Sequence, residues 1–81
     1  MGLTSNLKYI IVDDMWGNGF YMFPAHVNHV DFVRMIGFKP DDVLSAGFVN
    51  QNGCFGKATT LGKAAKKGDT ELFRRLVTDD D

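Results

Sequence analysis

A chain of 81 residues, of which 44% are hydrophobic and 23% charged, has enough apolar side chains for one compact core and too few for two. Its single cysteine, Cys54, excludes an intrachain disulfide and with it a disulfide-stapled secreted domain. The formal net charge is only −1, and the apolar run at residues 9–12 is too short to span a membrane. We therefore expect one cytoplasmic domain over residues 1–81, with a flexible segment 1–6 and an acidic tail at 78–81.

Two strands are predicted at the start of the chain. Residues 7–13 (LKYIIVD) carry apolar groups on both alternating faces, which is typical of a central strand. Residues 16–19 (WGNG) predict a turn because Gly and Asn accept positive φ. Residues 20–23 predict the returning strand, and Pro24 ends it. These segments together predict a hairpin.

A short helix of about two turns is predicted next, with clear signals at both ends. Asn28 is a favourable N-cap and can accept a hydrogen bond from the backbone at Asp31. Val27 and Phe32 occupy the two positions of a hydrophobic staple. Gly37 is a suitable C-terminal cap.

A second hairpin is predicted after this helix. Residues 43–49 predict a strand in which Gly47 marks a bulge or a close approach of another backbone. Asn52-Gly53 is a strong hairpin signal, and residues 54–60 predict the returning strand. Gly56 is expected to weaken the middle of that strand.

The last predicted helix begins after Gly68, with Asp69 as its N-cap, and its apolar side is formed by Leu72, Phe73 and Leu76. The order ββαββα predicts an α+β fold, a small antiparallel sheet of about four strands with two helices packed on one face. An open sheet has two edges, and a small domain gains stability when they are covered. A homodimer is therefore expected.

Two histidines and one cysteine are the candidates for chemistry. His26 and His29 are three residues apart, a spacing that lets two imidazoles share a metal on a helix, but the predicted cap places His26 before the helix. Cys54 has no local signature of a catalytic nucleophile and is interpreted as a packed thiol. Residues 53–60 lack the pattern of a phosphate-binding loop. The sequence therefore predicts no catalytic residue, no cofactor and no metal site, and indicates that the protein is not an enzyme.

Aromatic and basic residues predict a surface for a partner. Aromatic side chains cluster at the first hairpin's turn, where exposed rings favour an interface, although the tryptophan can equally cover the edge of the core. Residues 57–75 hold six basic side chains against two acidic ones, a balance that attracts phosphates or an acidic protein face, or is simply solvated. The predicted partner-binding residues are Trp16, Phe20, Tyr21, Lys63, Lys66, Lys67, Arg74 and Arg75.

Several short motifs resemble small proteins of bacteriophages and prophages: Phe23-Pro24 through His29, Ser45-Ala46-Gly47-Phe48, Gly56, Leu61-Gly62 and Asp69. The resemblance covers most of the chain and implies a bacterial or phage accessory protein. Because such proteins often act by occupying the surface of a host protein, it favours an interaction module that binds and modulates a host protein. The alternative is a nucleic-acid-associated protein that uses the basic segment 57–75.

Overall fold

The computed structural model describes residues 7–14 and 17–78. Its elements are β1 (Leu7–Asp14), β2 (Gly17–Phe23), α1 (His29–Met35), a 3-10 helix (Pro40–Asp42), β3 (Val43–Asn50), β4 (Gly53–Phe55), β5 (Lys57–Ala58), β6 (Lys63–Ala64) and α2 (Asp69–Thr78). The α+β class, the four-stranded antiparallel sheet and the order ββαββα of its main elements are confirmed, with a small β5-β6 sheet added. The expected flexible segment 1–6 and the acidic residues 79–81 lie outside the described residues, and Thr78 ends α2. No helix in the described part of the chain has the length and apolar character needed to cross a membrane.

β1 is an inner strand of the larger sheet, whose strand order is β2-β1-β3-β4. Its residues Tyr9, Ile10, Ile11 and Val12 are each at most 3% exposed, because β1 is paired on both sides and covered on both faces. Aromatic and β-branched side chains pack well in such a position. The predicted central strand is therefore confirmed.

β1 and β2 form the first hairpin, in a register that pairs Lys8 with Phe23 and Asp14 with Gly17. The turn predicted at residues 16–19 is wrong in extent, because residues 17–19 belong to β2. Two residues are enough to join antiparallel strands. Residues 17–19, which contain both glycines of the predicted turn, therefore continue the β1–β2 ladder.

α1 begins and ends where the sequence predicts. Asn28 Oδ1 accepts a hydrogen bond from Val30 N at 2.9 Å, at the second helical position rather than the third. At the other end, Gly37 has a φ of 92°, and Phe38 N donates to Val33 O at 3.0 Å. This is the Schellman arrangement, which satisfies carbonyl groups that the helix end would otherwise leave open.

The two helices lie on opposite faces of the larger sheet, which corrects the prediction that both pack on one face. Ile10 packs in one cluster with Val33 of α1, whereas the adjacent Tyr9 packs in a second cluster with Phe73 of α2. Successive side chains of a strand point to opposite faces, so these clusters are separated by the sheet. Both faces of β1 are apolar, and one helix on each face removes more apolar surface from water than two on the same face.

β3 and β4 form the second hairpin, with Asn50 opposite Gly53. Gly47 marks a close backbone approach, as predicted, because an ideal Cβ there would lie 2.5 Å from Phe55 O. Gly56 has a φ of 77°, a left-handed conformation that interrupts an extended strand. The single strand predicted at 54–60 is therefore divided into β4 and β5, and β5 pairs with β6 in the small sheet.

Candidate functional site

The first predicted site is the aromatic group near the first hairpin. Trp16 lies outside the described residues. Phe20 is half-buried, with its ring stacked on Tyr9 at a centroid distance of 5.2 Å and 6.1 Å from the ring of Phe73 in α2. Tyr21 packs on the other face, against the cluster that includes α1. The sheet thus separates Phe20 from Tyr21, and the part of these rings in partner binding stays a prediction.

The predicted basic residues are found on α2 and in the chain that leads into it. Lys66, Lys67, Arg74 and Arg75 are exposed, whereas Lys63 is half-buried in β6. The two lysines precede α2 and the two arginines lie in its second half. The four exposed residues of the predicted basic set therefore lie within residues 66–75, which also contain the exposed Glu71.

The last turn of α2 presents two apolar side chains to solvent, Leu76 (48% exposed) and Val77 (54% exposed). They follow the buried Phe73 by three and four residues, which on an α-helix places them on the same side, one turn further on. The sequence pattern predicted that Leu76 lies on the apolar side of α2, and it did not single out Val77. Helical spacing from Phe73 was the available signal, but spacing alone does not tell where the sheet below a helix ends.

A buried polar cluster that was not predicted from the sequence joins the start of α2 to β1. The Tyr9 hydroxyl donates to Asp69 Oδ2, and the same oxygen accepts from Lys66 N at 2.9 Å. Burial, and then the hydrogen bond to Asp69, raise the pKa of Tyr9, so its hydroxyl remains a donor. Asp69 is the first residue of α2 rather than its N-cap, because the first backbone hydrogen bond of the helix runs from Leu72 N to Gly68 O. The carboxyl group of Asp69 is buried. Tyr9 and Asp69 are 60 residues apart, and no local pattern connects them.

Thr70 and Cys54 extend this cluster to β4. Cys54 N donates to Thr70 Oγ1 at 3.0 Å, which ties the first turn of α2 to the edge of the sheet. Burial and the nearby Asp69 carboxyl group raise the pKa of Cys54 to about 11, against the smaller opposite effect of hydrogen bonds with Tyr9 and Thr70. Such a thiol is protonated at neutral pH, and the thiol is a much weaker nucleophile than the thiolate.

The two histidines have different surroundings. His26 is exposed, whereas His29 is buried at the start of α1. His29 Nε2 lies 2.9 Å from Gly47 O, and because a carbonyl oxygen only accepts, Nε2 carries the proton in this pair. Burial lowers the pKa of His29, and the charge of Lys8 adds to this, while the hydrogen bond to Gly47 opposes it. The imidazole therefore joins α1 to β3 as a neutral group.

The sheet keeps the candidate groups for chemistry apart. The ring of His29 contacts Phe23, which belongs to the cluster on the α1 face. Cys54 packs against the cluster on the α2 face. A thiol–imidazole pair is therefore not formed between these two residues. Within residues 7–14 and 17–78, no group of three or more His, Cys, Asp or Glu side chains is placed to hold a metal ion.

Comparison with known proteins does not connect the chain to a family. No protein-family model, no curated protein and no solved structure matches it. The features that bear on function are therefore those of the chain itself, above all the exposed end of α2 and the contacts that hold this helix on the sheet.

Proposed function

We propose that the protein is a small non-enzymatic interaction module that binds a host protein through the second half of α2. The observation that carries this proposal is the exposed apolar pair Leu76 and Val77, next to the exposed Arg74 and Arg75. We call residues 74–77 the α2 surface. Arginine is enriched and lysine is depleted at protein–protein interfaces, and the buried centre of an interface is more apolar than the rest of the surface.

Charge indicates the chemistry of the partner. Lys66 and Lys67 add positive charge at the other end of the same surface segment. A groove with an apolar floor and a rim of Asp and Glu would complement this arrangement. The basic side chains would act mainly on the association rate, and the apolar pair on affinity. The resemblance to small phage and prophage proteins supports a bacterial host protein as the partner that carries this groove.

The interior of the fold also supports binding over catalysis. The hydroxyl of Tyr9 donates a hydrogen bond to Asp69, and Nε2 of His29 donates one to the carbonyl oxygen of Gly47. The thiol of Cys54 has a pKa of about 11, far from the range of an activated nucleophile. Each of these groups has a structural role inside the fold, whereas the apolar pair at the end of α2 is exposed to solvent.

Affinity capture with matched variants tests the proposal. Wild type, Leu76→Asp and Met35→Asp are immobilised in turn and exposed to a bacterial lysate, and the retained proteins are identified by mass spectrometry. Met35 is the control because it is 71% exposed, on the helix at the opposite face. Circular dichroism confirms that each variant is folded.

A protein that wild type and Met35→Asp retain and Leu76→Asp loses supports the proposal. With that protein purified, the Leu76→Asp change should weaken binding about 30-fold or more, the equivalent of ~2 kcal/mol for a dominant contact. Equal retention of every captured protein by Leu76→Asp and wild type would refute the α2 surface.

Nucleic-acid binding is the second candidate, supported by the four exposed basic side chains Lys66, Lys67, Arg74 and Arg75. Four phosphate contacts predict an affinity that falls about a hundredfold between ~50 and ~200 mM salt. A protein interface centred on apolar side chains predicts a much smaller decrease. A salt titration with a DNA or RNA oligonucleotide, beside one with the captured protein, separates the two candidates.

A further inference from the structure

The outer edge of β2 is a second surface with a defined chemistry. In the strand order β2-β1-β3-β4, β2 and β4 are the edges among the described strands. β2 extends over Gly17–Phe23, and all seven of its residues pair with β1. On an edge strand, alternate residues direct their N–H and C=O groups away from the sheet, ready to pair with another strand.

β2 lacks the features that usually protect such an edge. Its sequence, GNGFYMF, contains neither a charged residue nor proline, and its register with β1 runs without a bulge. β4 is different, since it has only three residues and is followed by the left-handed Gly56. Short strands, charges, prolines and bulges are the common means of preventing edge pairing. One edge of this sheet is therefore protected and the other is suited to pairing.

We propose that β2 is a dimerisation strand, through which two copies of the chain pair antiparallel to form one continuous sheet. Two identical antiparallel strands are related by a two-fold axis, so every outward donor meets the equivalent acceptor of the other copy. A register centred on Phe20 places Gly17 opposite the other copy's residue 23 and uses the full length of the strand. Because β2 carries no charge, pairing with its own copy sets no like charges opposite each other.

The side chain of Met22 fits the same partner. Met22 lies opposite Tyr9 in the β1–β2 ladder, which places it on the α2 face, and it is 44% exposed. A strand added along β2 would cover part of this apolar surface and remove it from water. The dimer uses backbone groups of β2 and is independent of the partner proposed for the α2 surface.

Sedimentation equilibrium of the full chain, from about 1 to 200 μM, is the first test, because mass action favours a dimer as concentration rises. We expect a monomer–dimer equilibrium in which Met22→Lys raises the dissociation constant about tenfold or more, since a lysine on an edge strand opposes pairing. Met35→Lys, the same change on α1, should leave the dissociation constant unchanged. Leu76→Asp should also dimerise normally, which separates this proposal from the one for the α2 surface.

Hydrogen exchange tests the same proposal on the wild type alone, without any substitution. Raising the protein concentration should slow exchange at alternate amides within residues 17–23 and leave β4 unchanged. A monomer at about 200 μM would overturn the proposal. So would a dimer in which the amides of β2 exchange at the same rate at every concentration.

Discussion

Tyr9→Phe tests the polar connection between β1 and α2 with a minimal change. The substitution removes one hydroxyl and keeps the ring that stacks on Phe20 at 5.2 Å. Asp69 is only 5% exposed, and without Tyr9 its Oδ2 keeps only the hydrogen bond from Lys66 N among those made by described residues. The substitution therefore leaves a buried carboxyl group partly unsatisfied rather than creating a cavity.

The expected cost follows from that geometry. A buried polar group that loses its partner costs about 1–3 kcal/mol. Because Lys66 N still donates to Asp69, we expect Tyr9→Phe to lower the free energy of unfolding by about 1–2 kcal/mol. For a domain of this size, each kcal/mol corresponds to a decrease of about 4–8 °C in Tm.

Urea unfolding of a double-mutant cycle measures the effect. The cycle consists of wild type, Tyr9→Phe, Asp69→Ala and the double variant, and we expect a coupling energy of about 1 kcal/mol or more. Tyr21→Phe is the matched control on the other face, because its hydroxyl makes no hydrogen bond to another described residue, and it should cost less than about 0.5 kcal/mol. Additive single effects would show that the bond from Tyr9 to Asp69 does not stabilise the fold.

Three further predictions concern single residues. Gly47→Ala should cost about 3 kcal/mol or more in urea unfolding, because its Cβ would lie 2.5 Å from a backbone carbonyl oxygen, whereas Gly68→Ala, with nothing within 4 Å, should cost less than about 1 kcal/mol. The pKa of His29 is lowered in the folded protein, so the unfolded state binds more protons and stability should fall as pH decreases below about 6.5. Thermal unfolding between about pH 5 and 7.5 should show a flatter profile for His29→Gln but not for His26→Gln. Cys54, with its pKa raised from 9.0 to about 11, should react with an aromatic disulfide about a hundredfold more slowly at pH 7 than an ordinary thiol, and equal rates would contradict its burial.

The parts of the fold that could be predicted are those with local causes. Asn28 and Gly37 bound α1 because capping depends on residues within one helical turn. Gly47 was predicted to mark a bulge or a close backbone approach, because a glycine inside a strand is typical of either, and the structure has the close approach. Residues 7–13 were recognised as an inner strand because both of their faces are apolar.

The parts that were missed depend on contacts between distant residues. The hydrogen bond from Tyr9 to Asp69 joins positions 60 residues apart, whereas the sequence near Asp69 indicated a helix N-cap. The exposure of Leu76 depends on where the sheet ends below α2, which helical spacing does not report. The placement of the two helices on opposite faces could have been predicted from the sequence. An inner strand that is apolar on both faces has to be covered on both, and the pattern at residues 7–13 therefore favours one helix on each side.

The polar cluster also bears on how the α2 surface would bind. Bonds from Tyr9 to Asp69 and from Cys54 to Thr70 fix the first turn of α2 to two different strands, and Phe73 packs in the core one turn later. The last turn, with Leu76 and Val77, is thus a continuation of a helix that is already held in place. A partner that binds there would not have to order the helix, which removes an entropic cost that a free segment of the same sequence would meet.

A synthetic peptide of residues 66–78 should therefore bind the same partner more weakly than the intact domain, by a factor of ten or more if ordering costs about 1.4 kcal/mol. Equal affinity of peptide and domain in isothermal titration calorimetry would show that holding the helix on the sheet does not contribute to binding.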